Sequence, residues 1–292
     1  MALAADRTVV LPVAGRRSLR GRVSPLGITA GAILLLIALA ALAGPRLWHW
    51  DPLAQQIDAR LQNPSLTHPL GTDRYGRDIL ARLLTGARWT LSGALLVCAG
   101  VSLLGFAIGA IAASGNRLLD NLLGRLIESL MALPGLVTAL AFTSVLGPSF
   151  QNLLVALVIT SWPWYARAYR SIFIKERAAP YVEGAIVIGA GRLRLLLRHL
   201  FPNVLGPSVV LATGNLGGVM LGLAALSFLG LGQQPPTPEW GQMINDARPY
   251  FQRFPWQMVA PGACIALTVL AVNLAGDALR DALDPRSVQQ RD

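Results

Sequence analysis

Few side chains in this sequence could do covalent or metal chemistry, and those few do not stand together. The 292 residues hold 3 histidines and 2 cysteines. His49 and His68 lack the neighbouring Cys or carboxylate cluster that completes a zinc-type ligand set, so both read as surface residues and no metal site is expected. His199 sits among arginines and reads as a helix C-terminal residue. Cys98 and Cys264 fall inside apolar runs, where a thiol serves as a small packing group. A phosphate-binding loop of the form G-x-x-x-x-G-K-S/T needs a lysine to reach the phosphates, and the lone lysine, Lys175, follows Ile174. The hydrolase signatures H-E-x-x-H and G-x-S-x-G do not occur. The chain is therefore expected to be no enzyme and to bind no cofactor of its own.

What the residues do offer is mechanical. Pro180 can open a helix, because its missing N–H would be unsatisfied there anyway. The helix should run through Tyr181–Ile188, with Glu183 in its first turn where a carboxylate suits the helix dipole. Small residues at Gly184, Ala185, Gly189, Ala190 and Gly191 let another backbone approach closely. A second short helix is expected over 192–200, closed by Phe201-Pro202. A compact helix with an acidic start, a small face and a basic flank suits docking on a partner protein. On spacing alone, an ordinary loop between helices is the alternative.

The elements that must position this segment are membrane spans. The chain is 53% hydrophobic and only 14% charged, against ~25% charged in soluble domains. Spans of roughly 20 apolar residues cross a bilayer core about 30 Å thick, and six are read here, at about 27–47, 89–113, 127–147, 153–174, 207–231 and 257–279. The runs are continuous rather than alternating, which favours helices over a barrel. The fold expected is all-α and polytopic, with Pro134 and Pro163 kinking the third and fourth spans.

The net charge of +10 would suit nucleic acid, but its distribution does not. Most of the 25 lysines and arginines fall in the basic tail 1–25, around Arg117 and Arg125, in the stretch from Arg167 to Arg198, and at Arg280, Arg286 and Arg291. That is the positive-inside pattern, with both termini cytoplasmic and no nucleic-acid partner. Residues 26–48 resemble a signal peptide at Ala41-Leu42-Ala43, yet the apolar run is longer than usual and reads as a retained anchor. Residues 49–88 are external and end in an amphipathic helix with Asp78 and Arg82 paired at i,i+4. A core over 89–286 contains the internal loop 175–206, and 287–292 form an internal tail. Asp277 and Asn215, polar groups in or near spans, are candidates for lining a pathway, with Arg280 a partner for Asp277.

Glu183-Gly184-Ala185, Gly189 six residues after Glu183, and the Phe201-Pro202 ending resemble the EAA loop of ABC importer permeases. Gly184 stands where that pattern prefers Ala, and Phe201 where Leu is common. His68-Pro69-Leu70-Gly71-Thr72-Asp73-Arg74-Tyr75-Gly76-Arg77-Asp78, Leu226–Gly232, Pro235–Gly241 and Asn273–Asp281 with Leu283-Asp284-Pro285 resemble the peptide/nickel subfamily. The resemblance covers roughly residues 30–286. It implies a permease of the bacterial cytoplasmic membrane. Its partners would be a second, homologous permease, two ATPase subunits that supply the ATP chemistry, and an external solute-binding protein. It implies that Glu183, Gly184, Ala185, Gly189 and Gly191 form a coupling helix for the ATPase, and that Trp240, Arg74 and Asp78 face the binding protein. Peptides lead over nickel or a metal chelate, although Ser161–Arg167 resembles nickel-type members. A secondary transporter or intramembrane enzyme fits less well, because the spans lack midplane ionisable groups and nucleophile or metal signatures.

Overall fold

The computed structural model describes residues 25–191 and 194–283. The basic tail up to residue 24, Arg192, and the stretch 284–292 lie outside the described residues, and with them the expected side of both termini. Among the described residues the regular elements are helical, joined by turns and one isolated antiparallel bridge between Thr72 and Asp78. We label the helices α1 (Pro25–Leu47), α2 (Ile79–Ala112), α3 (Arg117–Met131), α4 (Gly135–Leu146), α5 (Phe150–Arg177), α6 (Pro180–Val187), α7 (Leu195–Phe228), α8 (Trp240–Ala247) and α9 (Trp256–Leu283).

Helices α1, α2, α7 and α9 are each long and apolar enough to cross a bilayer, and α3 with α4 passes the same test only as a pair bent by 83°. This bears out an all-helical membrane fold but counts four or five apolar spans where the sequence reading counted six. Two local causes account for the difference. The expected third span, 127–147, is broken. Pro134 has no N–H to continue α3 and restricts Leu133 before it, so the chain turns and restarts at Gly135. The 12 residues of α4 then reach only about 18 Å, less than a hydrocarbon core. Helix α5, at 28 residues, contains the expected fourth span and runs past both of its ends, but Pro163, Arg167, Arg170 and Lys175 dilute its apolar character.

Helix α5 packs mainly on α2. Small residues on α2 make this possible: a Cβ at Gly105 would lie 2.6 Å from the Cβ of Tyr165, and one at Gly109 would lie 2.8 Å from the Arg170 backbone nitrogen. Such close backbone approach is the usual way helices associate where lipid gives no hydrophobic incentive. The expected surface helix after Asp78 is the first two turns of α2. Asp78 caps it, accepting from the Ala81 N–H at 2.7 Å. Ile79 and Leu83 are buried with Ala41, Met220, Trp240 and Ile265 in a core shared by α1, α2, α7, α8 and α9.

The helix expected to close at Phe201-Pro202 instead runs on to Phe228. Pro202 would clash with the carbonyl of Arg198 in a regular α-helix. Leu195–Leu200 widens into π-type turns, in which the Phe201 N–H donates to the Leu196 carbonyl five residues back, and the chain continues unbroken. His199 therefore lies inside a helix, and its carbonyl accepts from Asn203 Nδ2 at 2.7 Å.

Helix α1 packs on α2 and α9 and is also hydrogen-bonded to α2 through one side chain. Pro45 inside α1 supplies no N–H to the Ala41 carbonyl. Arg88 of α2 supplies one instead, donating from Nε to Ala41 O and from Nη2 to Leu42 O, both at 2.6 Å. Arg88→Met should lower stability in detergent by about 2–3 kcal/mol, the worth of charged hydrogen bonds lost with an acceptor left bare, with Arg88→Lys intermediate. A thermal unfolding midpoint unchanged in Arg88→Met would show that the clamp carries no load.

Candidate functional site

Three regions bear on function. The first is a cap at the end of the bundle where α2 begins. His68 is buried, against expectation: its Nδ1 lies 2.8 Å from Asp78 Oδ2, its ring stacks on Trp50 at 4.6 Å, and Trp48 Nε1 donates to the other Asp78 oxygen at 3.1 Å. The predicted Asp78–Arg82 pair does not form, because Asp78 is taken by His68, Trp48 and the α2 cap. Arg82 lies 3.6 Å from Asp73 and donates to the carbonyls of Pro52 and Pro236 at 3.3 and 3.2 Å. Gly76 has φ +75°, and a Cβ there would strike the Gln56 carbonyl, so the turn that delivers Arg77 to Asp73 at 2.6 Å requires glycine.

The segment 232–256 is locked onto this cap. Glu239 is fully buried and accepts from Thr90 Oγ1 at 2.9 Å and from the N–H groups of Gly241 and Gln242 at 3.0 Å. Trp240 Nε1 donates to the Leu83 carbonyl at 2.9 Å. Trp240 and Asp78 are each only 3% exposed, so neither side chain can touch another protein without unpacking the cap. Of the three residues assigned to a binding-protein face, Arg74 is the accessible one, 3.5 Å from Asp246.

The second region is α6, at the opposite end. Val182 and Ala185 are buried against Leu195 and Leu200 of α7. The helix ends in a Schellman arrangement: Gly189 at φ +84° donates to Ile186 O at 2.9 Å and Ala190 to Ala185 O at 3.0 Å. Tyr181 joins three helices, donating to Glu176 Oε1 of α5 at 2.7 Å and accepting from Asn203 Nδ2 of α7 at 3.1 Å. Burial, with the neighbouring Glu176 carboxylate, pushes its phenol up to about 12. Glu183, Gly184, Gly189 and Gly191 are exposed, and a Cβ at any of the three glycines would meet nothing within 4 Å. Their smallness serves no packing among the described residues. Sequence reasoning missed the apolar tip beside them: Val187 and Ile188 are 85% and 86% exposed and Ile186 is 51% exposed, although charged Lys175, Arg177, Arg194 and Arg198 flank the segment. The unbroken run Ile186-Val187-Ile188 next to a helix-ending glycine was the available signal.

The third region is a cleft of about 400 Å³ where α3 breaks into α4, walled further by α2, α5 and α7. Its polar groups are Thr160, Ser161, Trp164, Tyr165 and Asn215, and no charged side chain lines it. Asn215 was singled out from the sequence, and its Nδ2 is turned back to Leu211 O at 2.7 Å. Asp277 is exposed, does not line the cleft, and makes no ion pair with Arg280. Thr160, Ser161 and Trp164 were not foreseen as cleft residues, since periodicity cannot say which face of a buried helix meets a cavity.

A family model described as binding-protein-dependent transport system inner membrane component matches residues 105–289. A dipeptide transport system permease protein of Alkalihalophilus pseudofirmus is 39% identical over 261 residues, covering 89% of this chain and 86% of the relative. A nickel transport system permease protein of Escherichia coli K12 is 40% identical over 258 residues, 88% of this chain and 93% of the relative. Among solved structures, the MetNI methionine ABC transporter in inward-facing conformations aligns with a TM-score of 0.58 at 18% identity, over 70% of this chain and 96% of that one. At that identity the likeness speaks for the fold.

The buried Glu239 makes the cap testable. Glu239→Ala leaves the Thr90 hydroxyl and two N–H groups without an acceptor, each worth about 1–3 kcal/mol. In purified protein, protease should then cut 232–256 faster than in the unaltered chain, with Glu239→Gln close to normal. Equal digestion of all three would place the lock elsewhere.

Proposed function

The chain belongs to the binding-protein-dependent transport system inner membrane components, and from that premise we propose that it forms half of the translocation pathway of an ATP-driven importer of di- or oligopeptides. Counting the bent α3–α4 pair as one crossing and α5 as another gives six crossings. With six crossings both termini and α6 share one side and the Glu239 cap takes the other; the arginine distribution supports the cytoplasm for the first and the exterior for the cap.

The observation that carries this reading is the tip of α6. An apolar surface beyond the charged end of a span is costly in water, and Ile186, Val187 and Ile188 find no cover within the described residues. A cleft on an ATPase subunit supplies that cover. Glu183, Gly184, Gly189 and Gly191 form the rim of the contact, and buried Ala185 anchors the helix beneath it. Two ATPases bind below, one on this chain and one on the second permease, and carry out the hydrolysis. An external binding protein delivers solute to the cap, where Arg74 is the side chain positioned to meet it.

The 400 Å³ cleft is this subunit's share of the pathway. Peptides are favoured over a bare divalent cation because its wall offers hydroxyl, amide and aromatic groups and none of the carboxylate or imidazole groups that hold such an ion. The start of α4, which no side chain caps, also opens on the cleft at Gly135 and Leu136. A helix N-terminus attracts carboxylate and repels a cation.

Glu183→Lys should abolish uptake while membrane insertion stays normal, and Val187→Asp should release the ATPase during copurification. Normal uptake by Glu183→Lys would refute the docking role. Mass spectrometry of the solute released from the cognate binding protein should find peptides; bound nickel would overturn the peptide reading and leave the permease assignment standing.

A further inference from the structure

A separate cleft, of about 360 Å³, opens between the C-terminal ends of α2 and α5 and the start of α3. Its charged groups are Arg117, Asp120 and Arg177. Asp120 is already neutralised, because Arg170 donates to both of its oxygens, at 2.6 and 2.9 Å. Arg177 is held in place: Nη1 donates to the Ala113 carbonyl at the end of α2, at 3.0 Å. Its Nε and Nη2 make no hydrogen bond with any described residue. Gly115 has φ +91°, and any Cβ there would strike this guanidinium, so the glycine leaves the space in which it lies. Arg117 makes no hydrogen bond or ion pair with any described residue. The start of α3 is not itself vacant, since Asn116 Oδ1 accepts from the Leu118 N–H at 3.0 Å. Beside the two arginines, Leu118 and Ile174 are exposed.

We propose that this cleft binds the phosphate of an anionic phospholipid of the inner leaflet, with Arg117 and Arg177 on the headgroup and Leu118 and Ile174 against its acyl chains. The inference rests on the orientation given above, which puts the ends of α2 and α5 at inner headgroup depth. Two guanidinium groups with free N–H donors and no competing carboxylate match phosphate oxygens in shape and charge. Basic pockets between spans on that side of a membrane suit anionic headgroups. A soluble phosphate shares the oxygen chemistry but has nothing for the apolar flank.

The test uses the whole transporter, with its partner subunits, in detergent supplemented with phosphatidylglycerol or phosphatidylcholine, read by native mass spectrometry. The unaltered complex should retain phosphatidylglycerol preferentially. Arg117→Gln, which breaks no bond among the described residues, should weaken that retention about fivefold, and Arg117→Gln with Arg177→Gln further still. Millimolar inorganic phosphate should not displace the lipid. Equal retention by all three forms, or full displacement by phosphate, overturns the proposal. Arg117→Cys labelled by a membrane-impermeant maleimide from outside intact cells would overturn the orientation itself. Labelling only from the inside, with no lipid preference, would overturn this site alone.

Discussion

Lipid offers the backbone no hydrogen-bond partner, and most of the local peculiarities of this chain answer that constraint. A proline within or between the long helices removes a backbone donor, and at several points a neighbour or a change of helix geometry replaces it. At Pro45 the replacement is Arg88, reaching from α2 to the freed Ala41 carbonyl. At Pro202 it is the widened turn of Leu195–Leu200 together with the Asn203 amide. At the far end of α4, Asn152 of α5 donates to the carbonyls of Leu146 and Gly147, at 2.8 and 3.0 Å. The break between Met131 and Gly135 lies on the cleft, where irregular backbone can be tolerated.

The same constraint explains how two distant regions become one mechanical unit. Because α7 is not cut at Pro202, a single helix of 34 residues, about 51 Å long, carries both Leu195 and Leu200, which seat α6, and Asn215, Gly218 and Gly222, which wall the cleft. Tyr181 ties α6 to α5 as well. On the proposed function, a push on the apolar tip of α6 would reach the cleft wall through these packed helices, as switching by rigid-body motion requires. The end where α2 begins is stiffened separately, by the fully buried Glu239 and by the His68–Asp78 pair.

Much of this was legible in the residues. Apolar runs located α1, α2, α7 and α9, and Pro180 with Gly189 bracketed α6. The failures have physical causes. A proline announces a disturbance but not its size: Pro134 turns the chain by a right angle, while Pro163 and Pro202 are absorbed into continuing helices. Charges four residues apart suggested an Asp78–Arg82 pair, but long-range partners outcompeted it. Trp240 read as a residue facing the binding protein, and only the tertiary fold reveals that Leu83 accepts its N–H. Asn215 was found because an amide within an apolar run is conspicuous. Thr160 and Ser161 were passed over because hydroxyls bond their own helix and raise no alarm.

The central claim is that α6 and the cleft wall of α7 move as one body. Spin-label distances in the assembled importer test it directly, with labels at Val187 and Gly218, positions where the chain leaves room. Between nucleotide-free and ATP-bound states, the distance from 187 to 218 within this chain should stay constant while the distance from 187 to the equivalent tip of the second permease changes. A shift of several ångströms within the chain, with the tips unmoved relative to one another, would contradict the account.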